Sequence, residues 1–448
     1  MTRLTPRIGR AICLGALLAA SVPSLTLADD ASTDTVKLLK LQSQLDQSIK
    51  MIDALAARVK ELESKQAAAS PQRAAAPAEV AAAQVQPPSS EAARLQAVEQ
   101  QMNQIETANA ARQGDDTGLP LHGFADINIG NHNPFHENEK GASLNNFDMY
   151  LTPKLGDKWL SLFELNVEVD SAGNVGVDIE RGQIGYQFSD AATVWVGRFH
   201  TPFGYVNTAF HHGVWLNDAL RRPAFLMFED QGGVMPSHTV GAWLTGAARG
   251  EGGKILYDMF AGNGQKIIGG KIDMRSGGNE HGKPIYGGRM GYQWTAGPVE
   301  GLMVGMNAFD SKIADDSTPE DLTELRVAGV YGVYDTDTWE IISEAYWFDN
   351  IDVYQGEGTH HSTAYFVQAG YRLPYVIPYV RYERTRLDQT DQYFAQQATG
   401  GSYYRAAAGV RRDLNPKVAI KFEVADTHYT DRTVGSFNEF LAQLAVRF

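Results

Sequence analysis

Basic side chains gather in one stretch of this chain. "RFHTPFGYVNTAFHHGVWLNDALRR", residues 198–222, holds Arg198, His200, His211, His212, Arg221 and Arg222 among mostly apolar neighbours. Guanidinium groups bind oxyanions through paired N–H donors, and imidazole adds a donor or a charge near neutral pH. These six are candidates for holding an anion. The pairs His211–His212 and His360–His361 do not predict a metal site. Adjacent side chains on a strand point to opposite faces, and no cysteine or third histidine stands beside either pair. Catalytic motifs fail on inspection. "GGNEHGK", residues 277–283, hints at a phosphate loop, but Pro284 stands where the Ser or Thr is needed. There is no G-x-S-x-G and no H-E-x-x-H, and Ser143, Ser161 and Ser343 have no assignable histidine partner. No enzyme, metal or cofactor is expected.

What must position the basic cluster is a long run of strands. From Leu121 onward the apolar residues recur every second position, the period of a strand with one greasy face. Sixteen extended segments are read near 121–130, 144–154, 158–170, 176–187, 192–200, 237–248, 253–261, 284–294, 299–310, 322–334, 337–348, 362–372, 375–386, 403–412, 416–428 and 435–448. Most exceed the ordinary length of about 5–6 residues for soluble strands and suit the ~9–11 residues of a tilted strand crossing a bilayer. Gaps after even-numbered segments are short ("LGD", "FSDA", "RGEG", "TAGP", "DT", "LP", "DLN"). Most gaps after odd-numbered ones are long. Short turns on one side, long loops on the other and an even strand count predict an all-β transmembrane barrel of about 16 antiparallel strands over residues 120–448. The last ten residues, "EFLAQLAVRF", alternate to the final Phe448. That strand is expected to pair with the first and close the sheet, because a bilayer tolerates no open edge.

On the polar faces, Arg181, Arg381, Arg405, Arg411 and Lys421 fall opposite the apolar positions, as do Glu164, Glu168, Asp170, Glu180, Glu340 and Glu344. These are candidate lumenal wall residues, and the mixture of signs predicts modest selectivity. The longest interstrand stretch, 201–236, carries Phe203, Tyr205, Phe210, Trp215, Phe225 and Phe228. Such a segment is expected to pack inside the barrel and set a constriction.

The N-terminal part reads differently. Arg3, Arg7 and Arg10 precede an apolar run from Ala11 to Val22, followed by small residues at Thr26 and Ala28. This predicts a signal peptide over 1–28. Its removal would take away Cys13, the one cysteine, and would move the formal charge from −14 to −17, since three arginines and no acids leave. So acidic a chain is a poor nucleic-acid binder. Leu38, Leu41, Leu45, Ser48, Ile52, Leu55, Val59 and Leu62 follow heptad spacing, predicting an α-helical coiled coil over 34–65. An Ala/Pro-rich linker, 66–92, and a second short helix, 93–112, separate it from the barrel.

"IERGQIGYQFSDAATVWVGRFHTPFGYVN" (179–207), "YDMFAGNG" (257–264), "YFVQAGYRL" (365–373) and "YVRYER" (379–384) resemble strands of the phosphate-selective porin O/P family. The terminal strand ending in Phe448 resembles the signal by which outer-membrane barrels are recognised for assembly. The resemblance covers about 120–448 and implies a bacterial outer-membrane porin, with the 201–236 loop folded inward. It also implies a homotrimer in outer-membrane lipid and partnership with the barrel assembly machinery. The cargo implied is small hydrophilic solutes, with an anion or phosphate preference. The coiled coil is an addition to that pattern, placed in the periplasm within reach of peptidoglycan. It raises a second reading: a structural tether between outer membrane and cell wall. Deleting 34–112 separates the two, since a porin would keep conducting and a tether mutant would shed membrane. A third reading is a sheath around an electron-transfer partner, which a co-purifying haem protein would reveal.

Overall fold

The computed structural model describes residues 121–131, 141–153, 155–169, 175–210, 214–229, 231–273, 283–315, 321–354, 356, 358–431 and 435–448. The expected signal peptide, coiled coil, linker and second helix lie outside these residues, as do Asp170, His211 and His212. The described chain is dominated by long strands. The first seven are β1 (Leu121–Gly130), β2 (Gly141–Leu151), β3 (Trp159–Val169), β4 (Val175–Ser189), β5 (Ala192–His200), β6 (His238–Arg249) and β7 (Gly253–Asn263). A small hairpin follows, β8 (Lys266–Ile268) and β9 (Lys271–Ile272). The long strands resume as β10 (Pro284–Trp294), β11 (Leu302–Asp315), β12 (Asp321–Asp335), β13 (Trp339–Asp352) and β14 (Thr359–Tyr371). They end with β15 (Ile377–Arg386), β16 (Tyr403–Asn415), β17 (Val418–Tyr429) and β18 (Ser436–Arg447). One-turn helices α1 (Val206–Ala209) and α2 (Gln392–Ala395) lie in the connections after β5 and β15.

All long strands pair antiparallel with their neighbours, β10 taking its place beside β7. β1 pairs with β18 from Phe124↔Arg447 to Ile129↔Ala442, so the sheet closes into a 16-stranded barrel. Phe448 adds to the seam: its N–H donates to the Gly123 carbonyl at 3.0 Å, and its carbonyl accepts from Gly123 N–H at 3.2 Å. Its ring stacks on Phe147. The expected strands are all present. Several run further on the long-loop side, β11 to Asp315 and β13 to Asp352. The β8–β9 hairpin within the 262–283 gap was not expected. It turns on Gly269 and Gly270, both at positive φ, and strands of three and two residues leave no alternation to read.

The two faces of each strand separate cleanly. Along β17, Lys421 and Glu423 are buried while Phe422 and Val424 are exposed. Along β18, Leu441, Gln443 and Ala445 are buried while Phe440 and Leu444 are exposed. The outer face is therefore apolar, and at its short-turn end aromatic pairs meet edge to face: Trp159 with Tyr186, Tyr292 with Trp294, and Trp339 with Tyr371. The inner face is not uniformly polar. β12 turns Leu325, Val327, Tyr331 and Val333 inward, and all are buried. They belong to an interior core with Phe203, Phe225, Phe309 and Tyr346. β4 departs from strict alternation where it pairs with β3. Glu164 pairs with Arg181 and Leu165 with Ile179, so Glu180 is the extra residue of a bulge. A bulge lets neighbours in sequence share one face. Glu180 is buried against His238, and Arg181 pairs with buried Glu164.

Candidate functional site

The segment 201–237 leaves β5, runs along the inner wall and returns to β6. Its short helix and two 3₁₀ turns cannot pair all its backbone groups, so partners must come from outside it. The inward side chains of the barrel supply them. Glu344 on β13 accepts the N–H groups of Tyr205 at 2.8 Å and Val206 at 2.7 Å through one oxygen; the Tyr346 hydroxyl donates to the other. Asn307 on β11 accepts from Gly204 N–H at 3.1 Å. Arg289 on β10 donates to the Gly204 carbonyl at 2.7 Å and to the Thr208 hydroxyl at 2.6 Å. Gly204 has φ +55°, and a Cβ there would collide with the Tyr346 hydroxyl and the Glu344 carboxylate.

The second half of the segment meets β15 to β18. Leu220 N–H donates to the Tyr379 hydroxyl at 3.0 Å, Ala224 N–H to Glu383 at 2.7 Å and Phe225 N–H to the Tyr403 hydroxyl at 3.0 Å. Cations meet the carbonyls. Arg381 donates to Arg221 O at 2.6 Å, Arg411 to Trp215 O at 2.7 Å and Asn217 O at 3.0 Å, and Lys421 to Asn217 O at 2.6 Å. Wall acids thus take backbone donors and wall bases take backbone acceptors, which satisfies groups that would otherwise be buried unpaired.

The expected basic residues fall into distinct settings. Arg221, Arg381 and Arg405 interleave with Glu383, Glu423 and Glu439. Arg405 reaches Glu423 at 2.9 Å, Glu383 at 3.1 Å and Glu439 at 3.3 Å. Arg381 pairs with Glu383 at 2.8 Å and Arg221 with Glu439 at 2.6 Å. Arg222 stands apart. It donates to Asn207 at 2.6 Å and lies over the Phe228 ring at 4.1 Å. Burial pushes its guanidinium down to about 10, with Glu229 and Glu344 pulling the other way. Arg198 donates to the Glu180 carbonyl at 3.0 Å. His200 is buried, edge-on to His238 at 4.8 Å. Arg411 also meets Asp413 at 2.8 Å. On β3, Asn166 donates to Glu168 at 2.9 Å.

Arg221, Arg222, Tyr403, Thr427, Tyr429 and Glu439 line part of a cleft between the segment and β16–β18. Sequence reasoning did not single out Arg289, Asn307, Tyr379, Glu383, Tyr403, Glu423 or Glu439. The signal for several was at hand: Tyr379 and Glu383 flank Arg381 at two-residue spacing, and Tyr403 and Glu423 do the same for Arg405 and Lys421. Among the described residues, no group of three or more His, Cys, Asp or Glu is arranged to hold a metal ion.

No protein-family model matches this sequence, and no curated protein matches it. Solved structures do resemble the fold. An anion-selective porin from Comamonas acidovorans is 13% identical with a TM-score of 0.49, the match covering 74% of this chain and 98% of that one. The outer membrane channel DcaP of Acinetobacter baumannii is 13% identical with a TM-score of 0.47, over 74% and 97% of the two chains. OmpF of Salmonella typhi, in complex with daunomycin, is 14% identical with a TM-score of 0.49, over 74% and 97%.

Proposed function

We propose that this protein is a bacterial outer-membrane porin through which small hydrophilic solutes diffuse passively, with segment 201–237 narrowing the path. The observation that carries the reading is a closed barrel, apolar outside, whose interior charges seat a long inserted segment. A closed sheet satisfies its backbone without water, which is what a bilayer demands. The apolar outer band and the aromatic pairs at its short-turn end suit lipid and its interface. A homotrimer in that membrane is part of the proposal.

The geometry favours modest rather than strong ionic selectivity. Three arginines of the cluster are matched by three glutamates, and Arg411 and Lys421 are engaged with carbonyls of the segment. Arg222 has no carboxylate in direct contact among the described residues. We assign any anion or phosphate preference first to Arg222.

The test is the reversal potential of the purified protein in a planar bilayer under a KCl gradient. A small potential of chloride sign, with phosphate blocking the current, supports the anion preference. A potassium sign removes that preference and leaves the porin. A protein that assembles but carries no current overturns the porin reading.

A further inference from the structure

Two buried histidines share an arrangement that the channel reading does not use. His238, at the start of β6, has Nδ1 2.9 Å from Glu229 Oε2 and Nε2 3.1 Å from Glu180 Oε2. Its own N–H donates to Glu229 Oε1 at 2.8 Å. Glu229 belongs to the inserted segment and Glu180 to the β4 bulge. His360, near the start of β14, has Nδ1 2.9 Å from Asp388 Oδ2 and Nε2 3.0 Å from Asp352 Oδ2. Asp388 belongs to the β15–β16 loop and Asp352 ends β13. Each imidazole is 4% exposed or less and bridges a wall strand to a long connection.

A neutral imidazole has one N–H and one lone pair, and an ionised carboxylate only accepts. With a carboxylate at each nitrogen, the neutral ring turns a lone pair towards one of them. The doubly protonated ring offers an N–H at each nitrogen: His360 hydrogen-bonds through both, and His238 hydrogen-bonds Glu229 and stands at ion-pair distance from Glu180. Without the proton, each site leaves two like charges around an uncharged ring.

The other charged and titratable neighbours leave the neutral ring's lone pair facing a carboxylate. Around His238 they include His200 on β5, edge-on; Arg198, also on β5, which donates to the Glu180 carbonyl at 3.0 Å; and Arg222, which lies over the Phe228 ring that stacks on His238. Gln265, from the β7–β8 connection, donates to the His238 carbonyl and is uncharged. Around His360, Asp391 adds a further carboxyl from the same loop, capping α2 and accepting from Asn350 at 2.8 Å. The adjacent His361 pairs separately with exposed Asp349.

The two connections held in this way also hold each other. The Tyr393 hydroxyl donates to the Val234 carbonyl, and the Thr399 hydroxyl to the Gly232 carbonyl, each at 2.6 Å. Ala398 N–H donates to the Gly270 carbonyl in the β8–β9 turn at 2.9 Å. A loosened root on either connection is therefore felt by the other.

We propose that His238 and His360 are carboxylate–imidazolium–carboxylate latches that fix the inserted segment and the β15–β16 loop. Loss of either ring proton as the pH rises loosens the root of its connection while the barrel stays closed. The latches are made on the acid side and released on the alkaline side.

The experiment is single-channel recording of the full-length protein in planar bilayers, in symmetric KCl from pH 6 to pH 9.5, a window of about three and a half units that starts near the ordinary histidine value and extends above it. Heat-modifiable gel mobility checks that the barrel persists. One proton coupled to release changes the released fraction by up to about tenfold per pH unit. The expected result is a steady level at pH 6 and a reversible rise in substate dwell towards alkaline pH. The double variant His238→Gln with His360→Gln is expected to fluctuate at every pH with a flat profile. A wild-type dwell independent of pH, or a double variant that keeps the wild-type profile, overturns the proposal.

Should the variant fail to assemble, ¹⁵N spectra of the wild-type histidine rings in micelles decide. Two rings with both nitrogens protonated at pH 7 uphold the latches; a lone pair on either ring sinks that latch. The electrical readout rests on the porin reading. Absence of current at all pH values would overturn that reading, and the ring spectra would still judge the latches.

Discussion

Arg405 shows what an inward charge does in this barrel. It sits on β16, 4% exposed, with three carboxylates from β15, β17 and β18 within 3.3 Å. Removing one member of a buried ion network costs about 3–5 kcal/mol, because the partners keep their desolvation penalty. Arg405→Leu should lower the unfolding free energy measured in denaturant by that order and loosen the segment near Ala224, whose N–H is held by Glu383. Adding Glu439→Gln should recover part of the loss. A variant as stable as the wild type would mean that the network carries no net weight. The sequence makes the face of Arg405 legible, because alternation does. It does not reveal the partners, since Glu383, Glu423 and Glu439 lie on three other strands and meet Arg405 only through register. For the same reason the sequence alone does not show that Arg381, Arg405 and Arg411 meet carboxylates and carbonyls of other elements.

At the scale of elements, the strands were readable and the connections were not. A strand advertises itself by a period of two, and turns such as "RGEG" and "DLN" by their residue types. The segment after β5 could be read only as too apolar for water. Its actual seat depends on Glu344, Asn307 and Arg289 reaching its backbone from distant strands. The inward apolar stripe of β12 had the same cause: it packs in the interior core with the segment's Phe203 and Phe225, and a lumenal face of Leu and Val reads like any other greasy face. The β15–β16 loop permits a test of its own. Asp391 caps α2, accepting from Tyr393 N–H at 2.9 Å. Burial pushes its carboxyl up to about 6 from an ordinary 3.8, against the hydrogen bonds from Asn350 and Tyr393. The folded loop therefore binds this proton more tightly than the unfolded loop does. Its stability is greatest below pH 3.8, falls as pH rises to about 6 and is flat above that for this group. Hydrogen exchange of residues 388–401, corrected for intrinsic rates, should show protection falling across that window. Asp391→Asn should remove this slope and leave the later, alkaline loss that the His360 latch predicts. A slope unchanged in the variant would assign the titration to another group.

For the whole molecule, closure is the property on which everything else depends, and one residue at the seam separates two reasons for it. Phe448 exchanges backbone hydrogen bonds with Gly123 and stacks on Phe147. Gly123 has no side chain to obstruct it, and a Cβ there would strike the ring. The alternation of the last strand made it legible as part of the sheet, and a strand with an apolar face in lipid needs a partner on each edge. The glycine opposite was silent in the sequence, since only the β1–β18 register brings residues 123 and 448 together. If the aromatic ring matters only for packing, Phe448→Ala should lower the stability of protein refolded in vitro and its yield in cells together. If the ring is also the mark read by the assembly machinery, the two should part. Refolding into micelles should then proceed to a barrel about 3–5 kcal/mol or less below the wild type, the usual cost of truncating a buried aromatic, because this ring is 44% exposed. Accumulation in the outer membrane should fall far more than that stability loss explains. Phe448→Trp, which keeps an aromatic surface, should recover accumulation. Equal losses in both measurements would confine Phe448 to the seam.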